Sequence, residues 1–113
     1  VTYSNEMKQQ FLNVNTATLE QHGAVSRETA QEMVEGVLVA TGVQAGIAVT
    51  GIAGPAGGTK EKPVGLVFIA TAVQKSTHVE RFVFPGSRSN VRERTVAMAL
   101  NQLRLDLLET SKE

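Results

Sequence analysis

Apolar residues recur along this chain with two different periods, and the change of period divides it. Ala30, Met33, Val34, Val37 and Leu38 fall at i, i+3, i+4, i+7 and i+8, one stripe of a helix that Ser26 can cap and Gly42 can stop. Ahead of it, Val1, Thr2 and Tyr3 form a β-favouring triplet. Ser4 or Asn5 then caps a short helix through Glu6, Met7, Lys8, Phe11 and Leu12 that ends near Asn13. Residues 15–20 predict one or two further helical turns, stopped at His22 and Gly23.

Past residue 45 the pattern shortens. Residues 46–50 and 64–71 are apolar runs bounded by glycine, which predicts two strands buried on both faces, and residues 77–84 alternate as a third strand antiparallel to the second. After a loop at residues 85–90, Ser89 or Asn90 caps a long last helix. There Val96, Leu100, Leu103 and Leu107 recur at intervals of 4, 3 and 4 and are expected to pack on the sheet. The expected fold class is α/β, with α+β as the alternative: three layers, a mixed β-sheet with helices on both faces.

Composition narrows the class. The 113 residues balance 11 basic against 11 acidic side chains, so no net field favours nucleic acid or an anionic membrane, and the chain has no Cys for disulfides or thiolate zinc sites. No apolar run approaches the roughly 20 residues of a membrane span, and the N-terminus does not read as a signal peptide. A single cytoplasmic domain is expected. The opening without Met, inside a β-favouring triplet, reads as a start within a domain or as a trimmed terminus.

Three groups could carry chemistry. Six of the 10 glycines lie between Gly46 and Gly65, and Thr50-Gly51-Ile52-Ala53-Gly54-Pro55 follows a strand, where consecutive amides can hold an anion. The usual phosphate-loop patterns do not thread through it, so a structural loop and a phosphate or carboxylate site both stay open. Ser4 and Lys8 stand at i, i+4, with Tyr3 adjacent. A desolvated Lys can serve as base to a Ser nucleophile, or this is a surface Lys beside a cap. Arg88, in a Gly-Ser-Arg-Ser loop ahead of helix amides, can grip a phosphate, while Arg92 and Arg94 read as a solvated face. Lys60, Glu61 and Lys62 read as a solvated run, and His22 and His78 as lone histidines without the carboxylates of a metal site.

The segments 1–8 (VTYSNEMK), 22–26 (HGAVS), 48–65 (AVTGIAGPAGGTKEKPVG) and 84–88 (FPGSR) closely resemble the CinA C-terminal domain family, over essentially the whole chain. The resemblance implies a nicotinamide-nucleotide amidase of pyridine nucleotide salvage. Such an enzyme hydrolyses the carboxamide of nicotinamide mononucleotide to nicotinic acid mononucleotide and ammonia, needs no cofactor or metal, and tends to form dimers. It implies Lys8 as proton acceptor and Tyr3 as its hydrogen-bonding partner, Thr50, Gly51, Ala53 and Gly54 as the substrate loop, and Arg88 on the substrate phosphate. No membrane or direct nucleic-acid partner is expected.

One departure stands out. The family's nucleophilic Ser lies in a Ser-x-Thr-Gly-Gly segment on a helix upstream of the strand that here begins at Val1. Residues 1–113 are therefore expected to be a single domain lacking its N-terminal helix and strand and its nucleophile, with an apolar face exposed. The alternative is a non-catalytic nucleotide-binding domain, or an interaction domain linked with competence and DNA damage. A substitute nucleophile at Ser4 or Thr50 is a third reading.

Overall fold

The computed structural model describes residues 5–74 and 76–111. The expected strand at residues 1–3, and with it Tyr3 and Ser4, lies outside the described residues. The elements run α1 (Asn5–Leu12), α2 (Thr16–His22), α3 (Arg27–Thr41), β1 (Ala45–Gly51), β2 (Leu66–Val73), β3 (Ser76–Val83) and α4 (Arg88–Ser111).

Each helix end follows from local chemistry. Ser26 Oγ accepts from the Thr29 amide at 3.1 Å, filling one of the orphan donors of the first turn of α3. Gly42, with φ 71°, closes α3 through its N–H to Leu38 O. For α4 the capping side chain is Ser87 rather than Ser89 or Asn90: Ser87 Oγ accepts from the Asn90 amide, and Val91 N–H bonds to Ser87 O.

The strands pair β1-β2-β3, both pairs antiparallel. Among the described residues the sheet is therefore antiparallel throughout rather than mixed, while the helices lie on its two faces as expected. β2 is the central strand, and all eight of its residues are buried, because each face is covered by a different layer. Leu66, Phe68, Ala70 and Ala72 meet Ala30, Met33 and Val34 of α3, while Val67 and Ile69 meet Val91 and Ala99 of α4. β1 was expected to be buried on both faces, and it is not: only Ala48 and Thr50 are buried, and Val49 is 36% exposed. Like β3 it is an edge strand, so one of its flanks has no neighbouring strand among the described residues.

The last helix reverses another expectation. Val96, Leu100 and Leu107 are 59%, 59% and 44% exposed, and the side of α4 that meets the sheet is built from Val91, Ala99 and Gln102. Small and polar residues serve there because the contact is partly a hydrogen-bonded one. Gln102 Nε2 lies within hydrogen-bond distance of Ile69 O, Thr71 Oγ1 and His78 O, so its two N–H groups are shared among three acceptors of β2 and β3.

One close approach fixes the α3 layer. A Cβ at Gly36 would lie 1.9 Å from Leu12 O, so the end of α1 meets α3 backbone to backbone, and only glycine leaves room.

Candidate functional site

The site is built where β1 ends. Side chains alternate along a strand, so Thr50 and Gly51 face opposite layers. Thr50 turns toward the α3 layer, is buried, and donates through Oγ1 to Ala24 O at 2.6 Å. Gly51 turns toward α4. Ile52 N–H and C=O are both engaged, with Leu66 O and Gly65 N–H, which pins the chain to the start of β2. Beyond that point the backbone is released: the N–H groups of Ala53 and Gly54 make no hydrogen bond among the described residues, although Gly54 is buried. Pro55 follows through a cis peptide bond and has no N–H to give.

Next to these amides is a cleft of about 530 Å³ lined by Gly51, Ala53, Val67, Arg88, Arg92 and Thr95 among others. Arg88 Nη1 donates to Gly54 O at 3.3 Å, so the first residue of α4 is held on the glycine loop. One neutral carbonyl leaves most of a guanidinium's five donors and all of its charge available. Arg92 follows at i+4 and lines the same cleft while staying exposed, as the solvated-face reading expected. The i, i+4 spacing of Arg88 and Arg92 is the signal that puts both on one side of a helix.

Lys8 sits in the other layer. It lies on α1, which packs on α3, and is only 8% exposed, so the reading of it as a surface lysine does not hold. Its ammonium makes no hydrogen bond or ion pair among the described residues, and burial pushes its pKa below the ordinary 10.5. Desolvation disfavours the charged form, which makes the neutral, basic amine more accessible. The structure thus brings Gly51, Ala53, Gly54 and Arg88 together on the α4 side and places Thr50 and Lys8 on the α3 side.

Two minor readings also change. Lys62 is no solvated charge: its Nζ donates to His22 O at 2.5 Å, tying the glycine-rich loop to the end of α2. His78 is not lone. Glu80 and Asp106 flank its ring, at 2.6 Å and 3.2 Å. No group of three or more His, Cys, Asp or Glu able to hold a metal occurs among the described residues, nor any helix long and apolar enough to cross a membrane.

The architecture is that of a three-layer domain of α/β composition whose glycine-rich loop crosses the end of the sheet beside a helix-borne arginine. The family model for the CinA C-terminal domain matches residues 1–107, and the chain belongs to that family. A CinA-like protein of Endomicrobium trichonymphae is 53% identical over 108 residues, 96% of this chain and 25% of that protein. The crystal structure of the competence/damage inducible protein CihA from Agrobacterium tumefaciens is 43% identical, with a TM-score of 0.90 over 93% of this chain and 65% of that one. That of the competence damage-inducible protein A (ComA) from Klebsiella pneumoniae is 39% identical, also with a TM-score of 0.90, over 96% of this chain and 67% of that one. The chain thus spans about a quarter of the first of these relatives and about two thirds of the two crystallised ones.

Proposed function

We propose that the protein carrying this domain hydrolyses the carboxamide of nicotinamide mononucleotide, consuming water and yielding nicotinic acid mononucleotide and ammonia. The observation that supports this most is the pair of amides, Ala53 and Gly54, that make no hydrogen bond among the described residues, beside the Arg88 guanidinium. Amide hydrolysis needs donors aimed at a developing oxyanion, and a nucleotide needs a cation for its phosphate. Lys8 supplies the base in this reading, which requires the reacting carboxamide to lie across the end of the sheet, between the glycine loop and the α3 layer that carries Lys8. As a neutral amine it takes the proton of a Ser hydroxyl as that oxygen attacks the carboxamide carbon, with Tyr3 as its hydrogen-bonding partner. The proton then passes to the departing nitrogen, and water frees the acid from the acyl intermediate.

The nucleophile belongs, in this reading, to a helix and strand upstream of residue 1 in the complete protein. The exposed stripe of Val96 and Leu100 and the flank of β1 that has no neighbouring strand among the described residues are the surfaces they would cover, and since Val49 and Val96 also line the cleft, the upstream segment would form one of its walls. A Val96→Cys variant of the complete protein should then react with a thiol reagent far more slowly than the same variant of residues 1–113. Equal rates would refute the covering.

Release of ammonia from nicotinamide mononucleotide by the complete protein tests the activity. Arg88→Ala is expected to raise KM about 10- to 100-fold, the worth of a charge-assisted contact, with a smaller effect on kcat. A second reading rests on the cleft itself. Its lining includes no carboxylate, lysine or histidine to act as a base, which fits a nucleotide-binding domain without turnover. Binding of the mononucleotide with no ammonia released by the complete protein would establish that reading instead.

A further inference from the structure

A second cleft lies on the opposite face of the sheet from the one that Arg88 lines. It has a volume of about 470 Å³ and opens in the α3 layer, between the end of α2, the start of α3 and residues 61–62. Val25, Leu66 and Phe68 give it an apolar floor. Arg27, Lys62 and Arg81 bring cations to it from three separate parts of the chain: the first turn of α3, the glycine-rich loop and β3.

These cations are placed without being neutralised. Arg27 Nη1 donates to Val79 O at 2.6 Å and Lys62 Nζ to His22 O at 2.5 Å, so backbone carbonyls that carry no net charge hold two of the three. Arg81 stands opposite Phe68 in the β2–β3 register, and its guanidinium makes no hydrogen bond or ion pair among the described residues. Two carboxylates share the lining. Glu28 lies 3.6 Å from His22 Nδ1, and Glu61 is exposed on the loop; neither pairs with the three cations among the described residues. Three positive groups against two negative leave the cleft cationic, more so when His22 is protonated. A carbonyl that steers a long basic side chain lowers the ordering cost when a ligand arrives, and it leaves the remaining donors for an anion.

The donor set selects the anion. A guanidinium offers paired N–H groups to two oxygens of one group, and an ammonium can reach a third. A phosphate monoester presents three terminal oxygens and a charge of about −1.5 to −2 at neutral pH, whereas a carboxylate has two oxygens and a single charge. The floor favours a ligand with apolar surface to bury. We propose that this cleft binds a small phosphate monoester with an aromatic or aliphatic ester group, its phosphate on Arg27, Lys62 and Arg81 and its ester group on Val25, Leu66 and Phe68. The site is separate from the Arg88 cleft and does not depend on the amidase reading.

Titration of the ¹⁵N-labelled complete protein with phenyl phosphate, followed through amide chemical shifts, tests the site. The amides of residues 25–28, 61–62 and 81 should shift saturably, and inorganic phosphate, which leaves the floor uncovered, should bind there more weakly. Arg81→Gln should weaken that binding about tenfold or more, the worth of a charge-assisted contact, and Lys62→Gln should act in the same direction. Arg88→Ala should leave the midpoint for residues 25–28 unchanged. The proposal is overturned if these amides show no saturable shift, if Arg81→Gln and Lys62→Gln both keep the wild-type midpoint, if inorganic phosphate binds equally well, or if Arg88→Ala abolishes the shifts. Absence of ammonia release from the mononucleotide would leave all of these results standing.

Discussion

Lys8→Ala in the complete protein is expected to lower ammonia release from nicotinamide mononucleotide by about 10²- to 10⁴-fold, the range of a general base. The argument is electrostatic. A lysine this buried, with no carboxylate bonded to its ammonium among the described residues, has its charged form disfavoured by desolvation, so its pKa falls. Wild-type kcat/KM should accordingly rise with pH along a limb set by that amine, below the ordinary lysine range, and the variant should lose the limb. The thermal midpoint separates this from misfolding. Folding stability gains with pH through the same titration, because the unfolded chain binds the proton more tightly, so removing the amine should not destabilise the fold at neutral pH through charge. A variant that keeps full activity would take Lys8 out of the chemistry.

Gly65→Ala is expected to destabilise the domain by about 4 kcal/mol, combining backbone strain with overpacking. Gly65 sits at φ 94°, where an L side chain is strained, and a Cβ there would lie 2.1 Å from Phe84 O. The residue is also a knot of hydrogen bonds. Its N–H donates to Ile52 O at 2.6 Å, and its C=O accepts from Phe84 N–H at 2.9 Å, linking the glycine loop to the end of β3. Displacing it moves Ile52, and with it Ala53 and Gly54, so nucleotide binding should fall together with stability. Urea unfolding checks the energy, and a loss below about 1 kcal/mol would mean the loop relaxes around the new methyl group.

Some of this arrangement was legible in the sequence and some was not. α3 was readable because its information is local: Ser26, the stripe from Ala30 to Leu38 and Gly42 lie within one helix length. α4 misled because apolar spacing says that a helix has an apolar stripe, not which neighbour covers it. Its sheet contact instead runs through Ala99 and Gln102, and no periodicity marks a glutamine that serves strand carbonyls. Gly51, Ala53 and Gly54 were grouped because they lie in one short loop, whereas Arg88, more than thirty residues further on, joined them only through the family resemblance. Thr50 was grouped with them, yet one step along a strand reverses the face. Tyr3 lies outside the described residues. His78 was read as isolated because its second carboxylate, Asp106, stands 28 residues away, a separation no local pattern spans.

The fully covered central strand also governs what happens when the domain comes apart. Leu66–Val73 contains no charge, no proline and no glycine, and it is rich in β-branched residues, the composition of a self-associating segment. While both helical layers are in place, that segment meets no other molecule. A chain that opens offers it to its neighbours, and association between copies then competes with refolding. Damage to the layers is therefore expected to surface first as precipitation in proportion to protein concentration, before any change in the chemistry of the surviving folded molecules.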